Sequence, residues 1–145
     1  MAPTKTRLAA VDGWFTMDGG EPVLLASRCT SCGTYVFPKK TLFCPNPTCG
    51  SADFEEARLS RTGKIWSYTD AQYQPPPPYV AADPYVPFCI AAVELADEKM
   101  VVMGQVVDGV KAAELRVGMD VELVVEPLYE DDEHEYMVWK WRPQP

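Results

Sequence analysis

Cys29-Thr30-Ser31-Cys32-Gly33 and Cys44-Pro45-Asn46-Pro47-Thr48-Cys49-Gly50 are two cysteine pairs in one short stretch, each closed by a glycine. A pair of this kind turns the chain so that two thiolates and nearby backbone amides face one point, and glycine supplies the positive φ the turn requires. Two such knuckles in succession build a ribbon around one tetrahedral ion. Zinc suits four thiolates; an iron-sulfur or rubredoxin-type iron site has the same ligand set and is the second choice, because spacing alone does not separate the metals. Disulfides are disfavoured. The first 25 residues include Lys5, Arg7, Asp12 and Asp18 but no apolar core of about 7 to 15 residues, so no secretory signal is expected and the thiols should stay reduced. A site closed by Cys29, Cys32, Cys44 and Cys49 has no open coordination position, so one ion there is expected to stabilise the fold and perform no chemistry.

Working outward, residues 23–53 read as the ribbon, with short β-rich segments on either side of the first knuckle, at 23–28 and 34–37. Residues 1–22 hold Trp14 and Phe15 among turn formers such as Gly19 and Gly20, with no helical period, and read as an irregular lead whose aromatics anchor it. After the second knuckle the pattern is serial β, with strands expected near 54–60, 63–73, 86–95, 99–107, 120–126 and 135–142. The one helical window, 110–115, falls between the strands at 99–107 and 120–126. Five strands from residue 63 with a helix between the third and fourth is the chain order of an OB-fold barrel, so residues 54–145 form that domain. The fold class is therefore mainly β: a rubredoxin-like zinc ribbon followed by a five-stranded barrel with one short helix. In the last strand Met137, Trp139 and Trp141 share one face, and Tyr136, Val138, Lys140 and Arg142 share the other.

At 145 residues and 47% hydrophobic content the chain fits one compact unit or two small modules sharing a core. No apolar run approaches the ~18 residues that span a bilayer, so a soluble cytoplasmic protein without a membrane partner is expected. The net charge of −8 is uneven: residues 1–63 carry seven basic and six acidic side chains, whereas residues 64–145 carry six and fifteen, or −9. Ribbon and OB modules often bind nucleic acid, which makes a nucleic-acid module the alternative function. Such binding exchanges a basic face for counterions, and the barrel half is acidic instead.

Two loops stand out. Residues 74–87 join the first two barrel strands and include six prolines with Tyr79 and Tyr85, so the segment is stiff, extended and poor in donors. The bland reading is a rigid surface connection. The functional reading, favoured because long apolar loops are uncommon without a role, makes Tyr79, Tyr85 and Phe88 contacts to a partner or ligand. The second loop, Tyr129 to Glu135, is an acidic turn carrying His134, the chain's single histidine, and reads as a solvated tip. Cys89, between Phe88 and Ile90 in a strand, reads as a buried apolar side chain; with the thiol mid-strand and the histidine in a tip, a nucleophile–base pair is not expected.

Several segments together carry a family resemblance: Arg28-Cys29 to Cys32-Gly33, Phe37-Pro38, Cys44-Pro45 to Cys49-Gly50-Ser51, residues 63–69, Pro87-Phe88, and Leu115 through Gly118-Met119 to Val121-Glu122. From about residue 24 onward the chain resembles the zinc-ribbon and OB-fold family associated with acyl-CoA enzymes. The resemblance implies a small accessory subunit that pairs with a thiolase-superfamily enzyme: a thiolase, or a thiolase-like aldolase that shortens steroid side chains. It implies a partner that carries the catalytic residues, with the OB module beside the acyl-CoA entrance and helping to form it. Two features depart from the family pattern. Four residues separate Cys44 from Cys49 where two is commoner, so that loop should bulge, and the lead has no helical character.

Overall fold

The computed structural model describes residues 4–17, 21–40 and 42–144. Nine strands follow in chain order: β1 (Thr6–Ala9), β2 (Leu25–Cys29), β3 (Tyr35–Val36), β4 (Phe54–Arg58), β5 (Thr62–Asp70), β6 (Cys89–Leu95), β7 (Val101–Val106), β8 (Asp120–Glu130) and β9 (His134–Pro143). The last five close a barrel in the spatial order β5-β6-β7-β9-β8, with β8 returning to β5. Only the β7–β9 contact of that barrel is parallel; the rest are antiparallel. Strict alternation explains the closure. Cys89, Ala91, Val93 and Leu95 of β6 are buried, as are Val121 and Leu123 of β8 and Met137, Trp139 and Trp141 of β9, so each strand turns one face inward.

The ribbon is a second sheet of order β3-β2-β4. Phe54–Arg58, expected to open the barrel half, is hydrogen-bonded to β2 along its length from Leu25↔Arg58 to Cys29↔Phe54, so the ribbon sheet runs on to Arg58. Leu24 and Ala26 are fully buried and belong to the same apolar cluster as the barrel core. Trp139 joins the two units. Its ring lies 5.8 Å from Phe37 just past β3, 5.8 Å from Trp14 and 5.9 Å from Phe15. Such aromatic pairs contribute about 0.5–1.5 kcal/mol each beyond burial.

Several elements differ from the sequence reading. The lead contains β1, which pairs in parallel with β9 from Thr6↔His134 to Ala9↔Met137, and Phe15 bridges Leu24. Its Trp14 and Phe15 do anchor it, while Gly19 and Gly20 lie outside the described residues. The expected helix at 110–115 is a single 3-10 turn, Ala112–Glu114; a six-residue window bounded by Gly109 and Gly118 is too short to offset the cost of helix nucleation. β5 ends at Asp70 and β6 begins at Cys89, because Pro84 and Pro87 supply no amide to a ladder. β8 continues past Pro127 to Glu130, and a register shift between Pro127 and Tyr129 absorbs the missing donor. No helix among the described residues is long and apolar enough to cross a membrane.

Candidate metal centre and loop cavity

The turn after β2 carries Cys29 and Cys32, and the loop before β4 carries Cys44 and Cys49. Pairing of β2 with both β3 and β4 brings the two loops together. All four sulfurs lie within 4.8 Å of one another; Cys29 Sγ is 3.6 Å from Cys49 Sγ, and Cys32 Sγ is 3.5 Å from Cys44 Sγ. A tetrahedron with Zn–S bonds near 2.3 Å has S···S edges of about 3.8 Å, so the cluster fits one tetrahedral ion. Gly33 and Gly50 have φ of 80° and 66°, the left-handed conformation that each knuckle requires. The four-residue gap of the second knuckle is taken up at Asn46. Its side-chain oxygen accepts from the amide and hydroxyl of Thr48, and its carbonyl accepts from the Cys49 amide at 3.0 Å.

The electrostatics fit a cation. Backbone amides of Cys32 and Ser31 point at Cys29 Sγ and hold its thiol below the usual range. The Thr34 hydroxyl, then its amide, bring Cys32 down to about 6. Burial pushes Cys44 up to about 12. Donors aimed at the sulfurs stabilise thiolates that their own mutual repulsion and burial oppose, and a divalent ion held by these cysteines would let all four ionise together.

The proline-rich loop folds back over the outside of the barrel. Tyr85 Oη donates to the Ala71 carbonyl at 2.6 Å, and the Ala71 amide donates to the Phe88 carbonyl at 2.8 Å, so both loop ends are fixed to β5 and β6. Tyr79 stacks on Phe88 with ring centroids 5.6 Å apart. The loop and the barrel wall enclose a cavity of about 380 Å³ whose lining includes Tyr79, Tyr85, Phe88, Gln105, Asp108 and Lys140. The three aromatic residues singled out in the sequence thus share one cavity.

Lys140 was not singled out. Alternation assigns it to the outward face of β9, where a lysine ordinarily meets water, yet it is only 2% exposed and lines the cavity it shares with the loop. Its ammonium lies 3.2 Å from Asp108 Oδ1 and 3.6 Å from Glu126 Oε1, which compensates the buried charge. The sequence signal was a lysine flanked by two tryptophans; its carboxylate partners come from distant segments and were not legible.

Cys89 is buried, donates weakly to the Val110 carbonyl at 3.4 Å and is held above the usual thiol range, chiefly by burial. His134 opens β9, with its ring against Tyr136 and Nδ1 3.5 Å from Asp131. The two share no hydrogen bond. The acidic tip is organised by Asp131, which accepts from the amides of Glu133 and His134 and from the Tyr136 hydroxyl.

Comparison with known proteins covers both halves of the chain. Residues 18–55 match the family described as the ChsH2 rubredoxin-like zinc ribbon domain, and residues 56–126 match the ChsH2 C-terminal OB-fold domain. A DUF35 domain-containing scaffold protein of Methanocaldococcus jannaschii is 32% identical over 122 residues, covering 84% of this chain and 81% of that one. The benzoylsuccinyl-CoA thiolase subunit BbsA of Thauera aromatica is 43% identical over 53 residues, 37% of this chain and 35% of its own length. Among solved structures, a chain of the Ltp2-ChsH2(DUF35) aldolase superposes with a TM-score of 0.63 at 28% identity, covering 83% of this chain and 84% of that chain.

Proposed function

Since this chain belongs to the ChsH2 zinc-ribbon and OB-fold family, we propose that it is a non-catalytic accessory subunit of a thiolase-like enzyme acting on acyl-CoA thioesters. The partner, a thiolase or a thiolase-like aldolase, carries out the bond making or breaking. This subunit stabilises it and contributes the loop of Tyr79, Tyr85 and Phe88 to the acyl-CoA entrance. One zinc ion held by Cys29, Cys32, Cys44 and Cys49 keeps the ribbon folded in the reducing cytoplasm.

The observation that carries the reading is the match, along more than four-fifths of the chain, to a subunit of an aldolase complex and to scaffold proteins. It is supported by the chemistry available here. Four thiolates around one ion leave no position for substrate, and Cys89 and His134 do not form a nucleophile–base pair. The cavity under the loop offers aromatic walls and a compensated ammonium, which suits binding more than bond cleavage. The excess of negative charge on the barrel half disfavours nucleic acid.

The test is to co-express the chain with thiolase-like subunits of its host and assay the purified complex and each component for thiolysis and aldol cleavage. The complex is expected to turn over acyl-CoA substrates while this chain alone does not. Replacing Tyr79 and Tyr85 together by alanine should weaken assembly or activity while the protein stays folded. Robust turnover by the isolated chain, or no association with any thiolase-like subunit, would refute the proposal.

A further inference from the structure

The outward face of the β5-β6-β7 sheet breaks the alternation that shapes the rest of the barrel. Inward positions are filled by Ile65, Ala91, Val93 and Val102, as a half-buried sheet requires, and the opposite positions should be polar. Lys64, Ser67 and Glu94 follow that rule, but a row between them and the proline-rich loop does not. Trp66 of β5 is 61% exposed, Met103 of β7 is 63% exposed and Val101 is 41% exposed. Ala92 pairs with Met103 on one side and with Ser67, next to Trp66, on the other, so a small side chain separates two large ones. A register shift between Ile65 and Ser67 lies at Trp66, the kind of bulge that re-aims a side chain at a sheet surface. Met103 and Ile90 also line a hollow with Tyr79 and Phe88, which makes the strip continuous with the proline-rich loop.

We infer that this strip, from Trp66 across Ala92 to Met103 and on to Phe88 and Tyr79, is the surface on which the thiolase-like catalytic subunit docks. The inference rests on the accessory-subunit reading and adds the place of contact. Exposed tryptophan and methionine beside a small residue are the composition of an interface centre, where a large side chain enters a pocket of the partner. Charge decides between occupants. Residues 64–145 carry −9, so a second copy would set two acidic halves against each other, whereas a partner with a basic rim around an apolar pocket is attracted. Lys64, Glu94 and Asp120 edge the strip, with Lys64 already engaged by Asp120 at 2.8 Å, which leaves a negative border for that rim to meet.

The experiment uses the thiolase-like subunit that assembles with the full chain, purified separately, and measures its Kd by calorimetry for wild type, Trp66→Ala, Met103→Ser and Leu42→Ser. Leu42 is at least as exposed as Met103 but lies in the ribbon, between the two cysteine knuckles, and serves as the control. Metal content and melting temperature establish that each variant is folded. Trp66→Ala is expected to weaken binding by about 30-fold or more and Met103→Ser by less, with Leu42→Ser unchanged. Wild-type affinity should also fall as salt is raised. If wild type binds and both strip variants bind within twofold of it, the docking surface is elsewhere and the accessory reading survives. If wild type binds no thiolase-like subunit, the accessory reading fails and this inference with it. If Trp66→Ala instead dissociates a homodimer of the chain, the occupant is a second copy and the inference is overturned.

Discussion

Removing the metal should unfold the ribbon and weaken the barrel by a smaller, calculable amount. The ribbon sheet comprises strands of five, two and five residues, too little pairing to stand on its own. A structural zinc site contributes on the order of 10 kcal/mol or more, against a total stability of about 5–15 kcal/mol for an ordinary domain, so residues 23–58 have no reserve without it. The barrel keeps its closed ladder but loses Phe37 from the cluster around Trp139, and Leu24 and Ala26 from the shared core. Two ring pairs go with Phe37, with Trp139 at 5.8 Å and with Trp14 at 5.5 Å, worth about 1–3 kcal/mol together; the lost burial of Leu24 adds about 1.5–3 kcal/mol. For a barrel of this size that corresponds to a fall in melting temperature of roughly 10–45 °C. Elemental analysis should find one zinc per chain before chelation, and Cys89→Ser should leave that content unchanged while Cys44→Ser abolishes it. Hydrogen exchange after chelation should show early loss of protection in β2 and β4 with protection retained in β6 and β8. Metal-free protein with β2 still protected and an unchanged melting temperature would refute the argument.

Gly104→Ala should destabilise the barrel by about 1–3 kcal/mol with an unchanged denaturant slope, because the new methyl would sit 2.7 Å from Trp139 Nε1 and 2.9 Å from Trp141 Nε1. Tyr85→Phe removes the bond to the Ala71 carbonyl and should cost about 1 kcal/mol locally, read as faster proteolysis within residues 74–88 at near-constant melting temperature. Asp131 is held at about 2, below its ordinary 3.8, first by the Glu133 amide and then by the Tyr136 hydroxyl and the His134 amide. Its contribution to the β8–β9 tip is therefore complete above about pH 4 and fades as pH falls through 2; carboxyl NMR titration should place the midpoint there, and Asp131→Asn should remove the transition.

The parts of the fold legible in the sequence were those set by local spacing. The knuckles, the turn glycines Gly33 and Gly50, and the inward face of β9 formed by Met137, Trp139 and Trp141 each depend on neighbours within a few residues, and the structure follows them. What was not legible depends on partners far along the chain. Thr6–Ala9 has no strand signature of its own and becomes a strand only because the first half of β9 offers it an open edge. Lys140 lines a cavity with residues of the loop between β5 and β6, and its carboxylates arrive from Asp108 and Glu126. The outer strip was hidden differently: Trp66, Ala92 and Met103 look like ordinary strand residues until pairing sets them in one row.

Trp139 links the four-cysteine ribbon to the proposed docking surface. Its ring is fixed on one side by Phe37 of the ribbon and by Trp14 and Phe15 of the lead. On the other, its indole nitrogen donates to the Met103 carbonyl at 3.2 Å, on the strand that carries the strip. The ring also lines the hollow shared by Tyr79, Phe88 and Ile90. Close-packed interiors transmit displacement because they have little free volume to absorb it, so the position of β7 and of the loop base depends on a ribbon that stays folded. A closed four-cysteine site is then the economical device. It holds together the ribbon sheet whose other end carries Phe37 against Trp139, and four thiolates around one ion leave no open coordination position.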